Sequence, residues 1–165
     1  MKIYKMILIL MFVLYPFGAF AENIDPDSDG SQYSWGENVG WINFQPSFGP
    51  GVTVTDSTVE GYAWGENIGW IHLNPTIGGV VNDGSGNLSG YAWGENIGWI
   101  NFAPTGSGVT IDPTTGIFSG YAWGENKGWI NFAPATGIVK TSWRPDGGGG
   151  GGGGGCFIAT AAFGS

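Results

Sequence analysis

The chain has 165 residues, with thirteen acidic side chains against five basic ones, 33 glycines and one cysteine. That length bounds it to one domain. The lone cysteine excludes an intramolecular disulfide. The acidity excludes nucleic acid and anionic membrane surfaces, whose phosphates repel such a chain.

Residues 1–21 read as a signal peptide. Lys2 and Lys5 give the positive start, Met6 to Tyr15 the apolar stretch, and Ala19-Phe20-Ala21 the small-residue cleavage site. Cleavage is expected after Ala21. The apolar stretch falls short of the ~20 residues of a membrane span and no second one follows, so the mature chain is expected to carry no transmembrane helix. Without this segment, thirteen acidic residues face only Lys127, Lys140 and Arg144, a net charge of −10. Such acidity keeps an aromatic-rich exported protein in solution.

Residues 22–30 form an acidic N-terminal arm. Within it, Asp25-Pro26-Asp27-Ser28-Asp29-Gly30 fits the first half of a D-x-D-x-D-G calcium loop, which sets oxygens around a hard cation. The Glu that such a loop wants at its twelfth position is missing: Gly36 stands there and Glu37 follows one residue late. A solvated arm is therefore the expectation. Weak calcium binding by Asp25, Asp27 and Asp29 is the alternative, and no other cofactor is expected.

Residues 31–146 are dominated by a repeat. The segments YSWGENVGWINFQP (33–46), YAWGENIGWIHLNP (62–75), YAWGENIGWINFAP (91–104) and YAWGENKGWINFAP (121–134) place Trp35, Trp64, Trp93 and Trp123 at spacings of 29, 29 and 30. Gly90-Tyr91-Ala92-Trp93 alternates large and small residues, the period of a strand. Gly94-Glu95-Asn96-Ile97-Gly98 is turn chemistry, with Asn and Gly able to take positive φ. Trp99-Ile100-Asn101-Phe102 is a second strand. The spacers add a third, in Val52-Thr53-Val54, Val80-Val81 and Val109-Thr110-Ile111. The fold class expected is all-β: four tandem three-stranded meanders of about 29 residues. The first repeat lacks a preceding strand of the Val-Thr-Ile kind, and Ile138-Val139-Lys140-Thr141-Ser142-Trp143 after the last has no hairpin partner. Closure into a propeller-like ring would remove both open edges; a linear β-stack with capping ends is the rival.

Nine glycines, 147–155, form a linker. As a flexible coil it spans ~15–18 Å end to end. The final ten residues, CFIATAAFGS (156–165), are apolar and small.

The repeats resemble the Trp-rich YAWGENIGWINF-type repeats of exported proteins of Gram-negative bacteria, over residues 31–146. That resemblance implies export and supplies no mechanism. The tail is similar to the CFI-box, a C-terminal motif that follows a low-complexity linker in surface or exported proteins. This implies sorting or anchoring through Cys156. Such tails often continue where this chain stops at Ser165. Together these features imply a secreted or cell-surface protein, exported through the inner membrane of a Gram-negative-type bacterium.

Candidate sites are few. Trp35, Trp64, Trp93 and Trp123 could present indole faces to sugar rings. Core packing is the expectation, since each buried Trp removes ~150–250 Å² from water and aliphatic residues look scarce. Glu37, Glu66, Glu95 and Glu125, each followed by Asn, could bind cations or sugar hydroxyls; turn-setting is the expected role. Acid–base catalysis needs two carboxylates in different environments, which identical repeats argue against. His72, the only histidine, stands where other repeats carry Asn43, Asn101 and Asn131, so it is no dedicated ligand. The function expected is a structural or binding surface module without catalysis. The alternative is a lectin whose exposed tryptophans engage a surface glycan or cell-envelope component. Exposure of a Trp beside each Glu-Asn pair separates the two.

Overall fold

The computed structural model describes residues 23–145, so the expected signal peptide with Ala21, the glycine linker, Cys156 and the C-terminal tail lie outside the described residues. Among the described residues there are eleven strands and no helix: β1 (Tyr33–Gly36), β2 (Gly40–Asn43), β3 (Val52–Val54), β4 (Thr58–Gly65), β5 (Gly69–His72), β6 (Gly79–Asn82), β7 (Leu88–Gly94), β8 (Gly98–Asn101), β9 (Val109–Ile111), β10 (Phe118–Gly124) and β11 (Gly128–Asn131).

Eight of them close into an antiparallel barrel. The order is β1-β2-β4-β5-β7-β8-β10-β11, and β11 returns to pair with β1 at Trp35↔Asn131. Closure is thus realised and the linear stack is not. The sheet runs continuously around the ring and is not divided into separate blades. Each YxWGENxGWIN segment is one hairpin of the wall, and all four share a register: Tyr91↔Asn101, Ala92↔Ile100, Trp93↔Trp99 and Gly94↔Gly98 in the third, with equivalent pairs in the others. The turns are alike too. In the second hairpin the Ile68 amide donates to the Gly65 carbonyl at 3.2 Å, and Gly69 follows with φ +75°. Three residues, Glu66 to Ile68, link the strands, and the left-handed Gly69 that opens the returning strand pairs with Gly65. Asn67 and its equivalents do not take the positive φ; the glycine does.

Beyond the hairpins, β4, β7 and β10 continue past the ring and pair there with β3, β6 and β9. The change of partner falls at Gly61, Gly90 and Gly120. At Gly90 the φ of +83° and the Gly79 carbonyl, which a Cβ would overlap, leave no other residue possible. The segment after the last hairpin closes this second layer through isolated bridges, Gln32↔Val139, Ile117↔Lys140 and Ile24↔Thr141, instead of a twelfth strand. Its partners are single residues on either side, so no continuous ladder forms. The seam is sealed by a side chain. The Asn23 amide accepts from the Val54 amide at 2.7 Å and donates to the Val54 carbonyl at 3.0 Å, taking the place of a strand. The arm is therefore docked at its start, where Ile24 and Asp25 are buried, and solvated from Asp27 to Gly30.

The core overturns one expectation. It is built from the small and aliphatic residues that alternate with the tryptophans. Ala63, Ala92 and Ala122, with Ser34, form one layer. Ile42, Ile71, Ile100 and Ile130 form another; Phe44, Leu73, Phe102 and Phe132 a third. Each Ile or Phe so buried contributes ~1.5–3 kcal/mol of transfer free energy. Phe132 makes edge contacts with Phe44 at 5.4 Å and stacks on Phe118 at 5.9 Å. Val39, Ile68 and Ile97 cover one end, where Lys127 holds the fourth place. The repeat tryptophans point the other way. The physical reason is pleat: Trp99 and Asn101 share one face of their strand, Ile100 and Phe102 the other. Only Trp143, outside the repeats, is buried, with its indole N–H donating to Asp56 at 2.8 Å.

Candidate functional site

The outward positions of the hairpins assemble an aromatic girdle. In each hairpin the second Trp stands between the Tyr and, in hairpins two to four, the first Trp of the facing strand. Tyr91–Trp99 and Trp93–Trp99 lie at 6.3 and 4.8 Å, both edge to face; Tyr62–Trp70 and Trp64–Trp70, and Tyr121–Trp129 and Trp123–Trp129, repeat this. Tyr33–Trp41 is the pair in the first. Such pairs prefer edge geometry because the positive ring edge meets the negative face. They fix the rings in place while leaving area free: Trp35, Trp70, Trp93, Trp123 and Trp129 expose between 37 % and 48 % of their surface. Trp41, Trp64 and Trp99 are half-buried.

Between neighbouring hairpins this girdle opens into grooves, and two of them share the same aromatic and Glu-Asn lining. One, of about 440 Å³, has Tyr62, Trp64 and Trp70 on one wall and Trp93 and Glu95 on the other. The second, of about 830 Å³, has Tyr121, Trp123 and Trp129 facing Trp35 and Glu37 across the β11–β1 seam. A third, of about 360 Å³, sets Tyr33 and Trp41 against Glu66. These volumes suit a small ligand. Loop glycines form part of the setting: Gly78, at φ +108°, packs against Trp99, and Gly137 lies so close to Trp41 that a side chain there would displace the ring.

The Glu-Asn pairs divide their labour. Each Asn donates from its side-chain amide to a backbone carbonyl of the preceding hairpin: Asn67 to Val39, Asn96 to Ile68, Asn126 to Ile97, and Asn38 to Lys127 across the seam, at 3.0–3.2 Å. These four bonds run around the rim, joining hairpin to hairpin. The carboxylates do not share the work. Glu125 receives only a long contact from the Trp99 amide at 3.5 Å. Among the described residues, Glu37, Glu66 and Glu95 accept no hydrogen bond, and the one ion pair joins Lys140 to Asp27. Each carboxylate is exposed beside aromatic rings, with its acceptor capacity open.

The acidic loop of the arm behaves differently. Asp25 is buried, and its carboxylate accepts from the amides of Asp29, Gly30 and Ser31 and from the Ser31 hydroxyl. Asp27 pairs with Lys140. Asp29 accepts from Ser31, whose hydrogen bonding holds its carboxyl below the ordinary range. The three carboxylates are thus engaged separately by the chain. Among the described residues no three acidic, His or Cys side chains are placed to hold a metal ion. His72 stacks flat on Tyr62 at 4.3 Å, whereas Asn43, Asn101 and Asn131 in the other repeats accept the amide two residues on and start the exit loop.

Sequence reasoning named the first Trp and the Glu of each repeat. It missed the contribution of Tyr62, Trp70 and their equivalents, which complete the grooves. The signal was present: they share the outward face with the first Trp in a period-two strand. Compared with known protein families, with curated proteins and with solved structures, the chain matches none. Among the described residues no helix is long and apolar enough to cross a membrane.

Proposed function

We propose that this protein is a glycan-binding module of the cell surface, without catalysis, that takes sugar rings into the grooves between its hairpins. The observation that carries the reading is the half-exposed Trp beside an unengaged Glu, recurring around the barrel. An indole face held by edge contacts matches the C–H face of a pyranose, and its ordering is already complete before binding. The free carboxylate oxygens accept from sugar hydroxyls. The barrel supplies a rigid wall, on which such a constellation is held better than on loops. Four like hairpins suit a repetitive or branched ligand, because avidity multiplies weak single-groove affinity. The carboxylates recur in like surroundings, so no acid–base pair is distinguished among them. Export by the segment 1–21 and sorting by the CFI-box-like tail at Cys156 belong to the same proposal.

A glycan array probed with the intact protein tests it, together with the double variant Trp93→Ala/Trp123→Ala. The expected outcome is binding by the wild type and at least a ~10-fold loss in the variant, with an unchanged fold by circular dichroism. Stacking worth ~1–3 kcal/mol per ring sets that scale. Absence of glycan binding, or full binding by the variant, overturns the proposal.

A further inference from the structure

We infer that the grooves select glycans carrying free, protonated amines over neutral and anionic ones. This rests on the glycan reading of the same grooves and adds the charge class of the ligand. Three observations converge on it. Each of the three grooves pairs aromatic faces with a carboxylate, Glu37, Glu66 or Glu95, that no cation or donor among the described residues engages. None of the three is lined by a Lys or Arg. Without residues 1–21 the chain carries ten excess negative charges, so its net charge has the same sign as the groove carboxylates.

These features act on a ligand in one direction. A ring face attracts a cation through its quadrupole, and indole does so most strongly. In the second hairpin the walls Tyr62, Trp70 and, across the groove, Trp93 place several such faces around one opening, with Glu95 beside them. A neutral sugar uses the stacking and wastes the charge. A uronate or phosphorylated sugar is repelled by Glu95 and by the field of the protein. A deacetylated amino sugar satisfies both elements. Its C–H face lies on indole while its ammonium group, with three donors, reaches the carboxylate. N-acetylation removes the charge and adds bulk, so the acetylated counterpart keeps only the stacking.

The test titrates the full-length protein with short chitosan oligosaccharides, their fully N-acetylated counterparts, neutral cello-oligosaccharides and oligogalacturonates of equal length, at low and high salt. The expected order is chitosan tightest, about tenfold ahead of the acetylated and neutral chains, with no binding of the uronate. The lead should shrink with added salt. The triple variant Glu37→Gln/Glu66→Gln/Glu95→Gln should fold normally, since these carboxylates hold nothing in the chain, and should lose most of the lead of the amine-bearing chains over the neutral ones. A lysine oligomer of matching charge should bind far more weakly than chitosan. Equal affinity for chitosan and its acetylated form, an unaltered preference in the Gln variant, or equal binding of the lysine oligomer overturns the charge selection and leaves the glycan reading standing. Binding of none of the oligosaccharides overturns both.

Discussion

The inner and outer faces of the barrel wall are built from the same residues of the same repeat, yet they follow opposite rules. Inward positions hold Ala or Ser, Ile, and Phe or Leu, packed without exposure. Outward positions hold Tyr, Trp and Asn or His, fixed by edge contacts and still open to water. The largest apolar groups of the chain are therefore not its core. The interior of a closed ring of eight short strands is just wide enough for its own side chains to fill, and here Ala, Ile, Leu and Phe fill it while the repeat indoles stand on the outward face. The packed face and the open aromatic face are separated by one step along the strand.

The sharpest way to break that separation is to truncate one residue on each face. Phe132→Ala opens a cavity among three phenyl rings and should cost about 3–5 kcal/mol. Trp93→Ala removes a half-exposed ring and one edge contact, and should cost about 1–2 kcal/mol. Urea unfolding of the two variants checks this; equal losses would mean that the girdle carries the fold after all. Ser34 offers the reverse test. It stands where the other repeats have Ala, fully buried, with no partner for its hydroxyl among the described residues. Ser34→Ala should raise stability by about 1–2 kcal/mol, read as a higher urea midpoint, because an unsatisfied buried hydroxyl is costly. No gain would reveal a partner for it.

The rim gives a finer comparison, between neighbouring residues of one turn. Asn67→Ala removes the bond to the Val39 carbonyl and should cost about 0.5–1.5 kcal/mol. Glu66→Gln, one residue before it, should leave the melting temperature where it is. A drop with Glu66→Gln equal to that of Asn67→Ala would show that the carboxylate is structural.

The smallest effect is that of pH. Asp112 is held below the ordinary carboxylate range, first by the Thr115 amide. Asp83 is held there first by the Asn87 side chain, and Asp29 first by Ser31. Since folding lowers these values, the unfolded chain binds more protons near its own carboxylate pKa of ~4. Their contribution is present above that pH and fades as pH falls through the lower folded values. All three are exposed, so the loss should be small and further reduced by salt. Thermal melts from neutral to acid pH, for wild type and Asp112→Asn, check it. The variant should show the shallower fall, and identical slopes would remove Asp112 from the account.

How much of this was legible beforehand depends on which residues are considered. Alternation in Tyr-Ala-Trp-Gly and Trp-Ile-Asn-Phe gave the strands, the hairpins and the identical turns. The unmatched 138–143 segment pointed to closure. What misled was size: indoles looked like core because they are large. Their face-mates said otherwise, since Trp99 travels with Asn101 and Trp70 with His72, while Ile100 travels with Phe102. The grooves themselves were not legible, because they arise between hairpins some thirty residues apart, and that adjacency is set by ring order. Nor was the docking of the arm, which depends on Asn23 finding a backbone 31 residues further on.

The seam also determines when the molecule can exist. Asn23 bonds to Thr141, 118 residues away, and Asn38 reaches Lys127 across 89. Until the fourth hairpin is available, β1 and the growing end of the sheet are both open edges, able to pair with another chain. The entropy of closing so long a loop must be met before the final ladder contributes anything. The barrel therefore behaves as a clasp and not as a stack: adding hairpins one by one yields no intermediate with a finished rim, and the last hairpin to be made decides whether the first is useful.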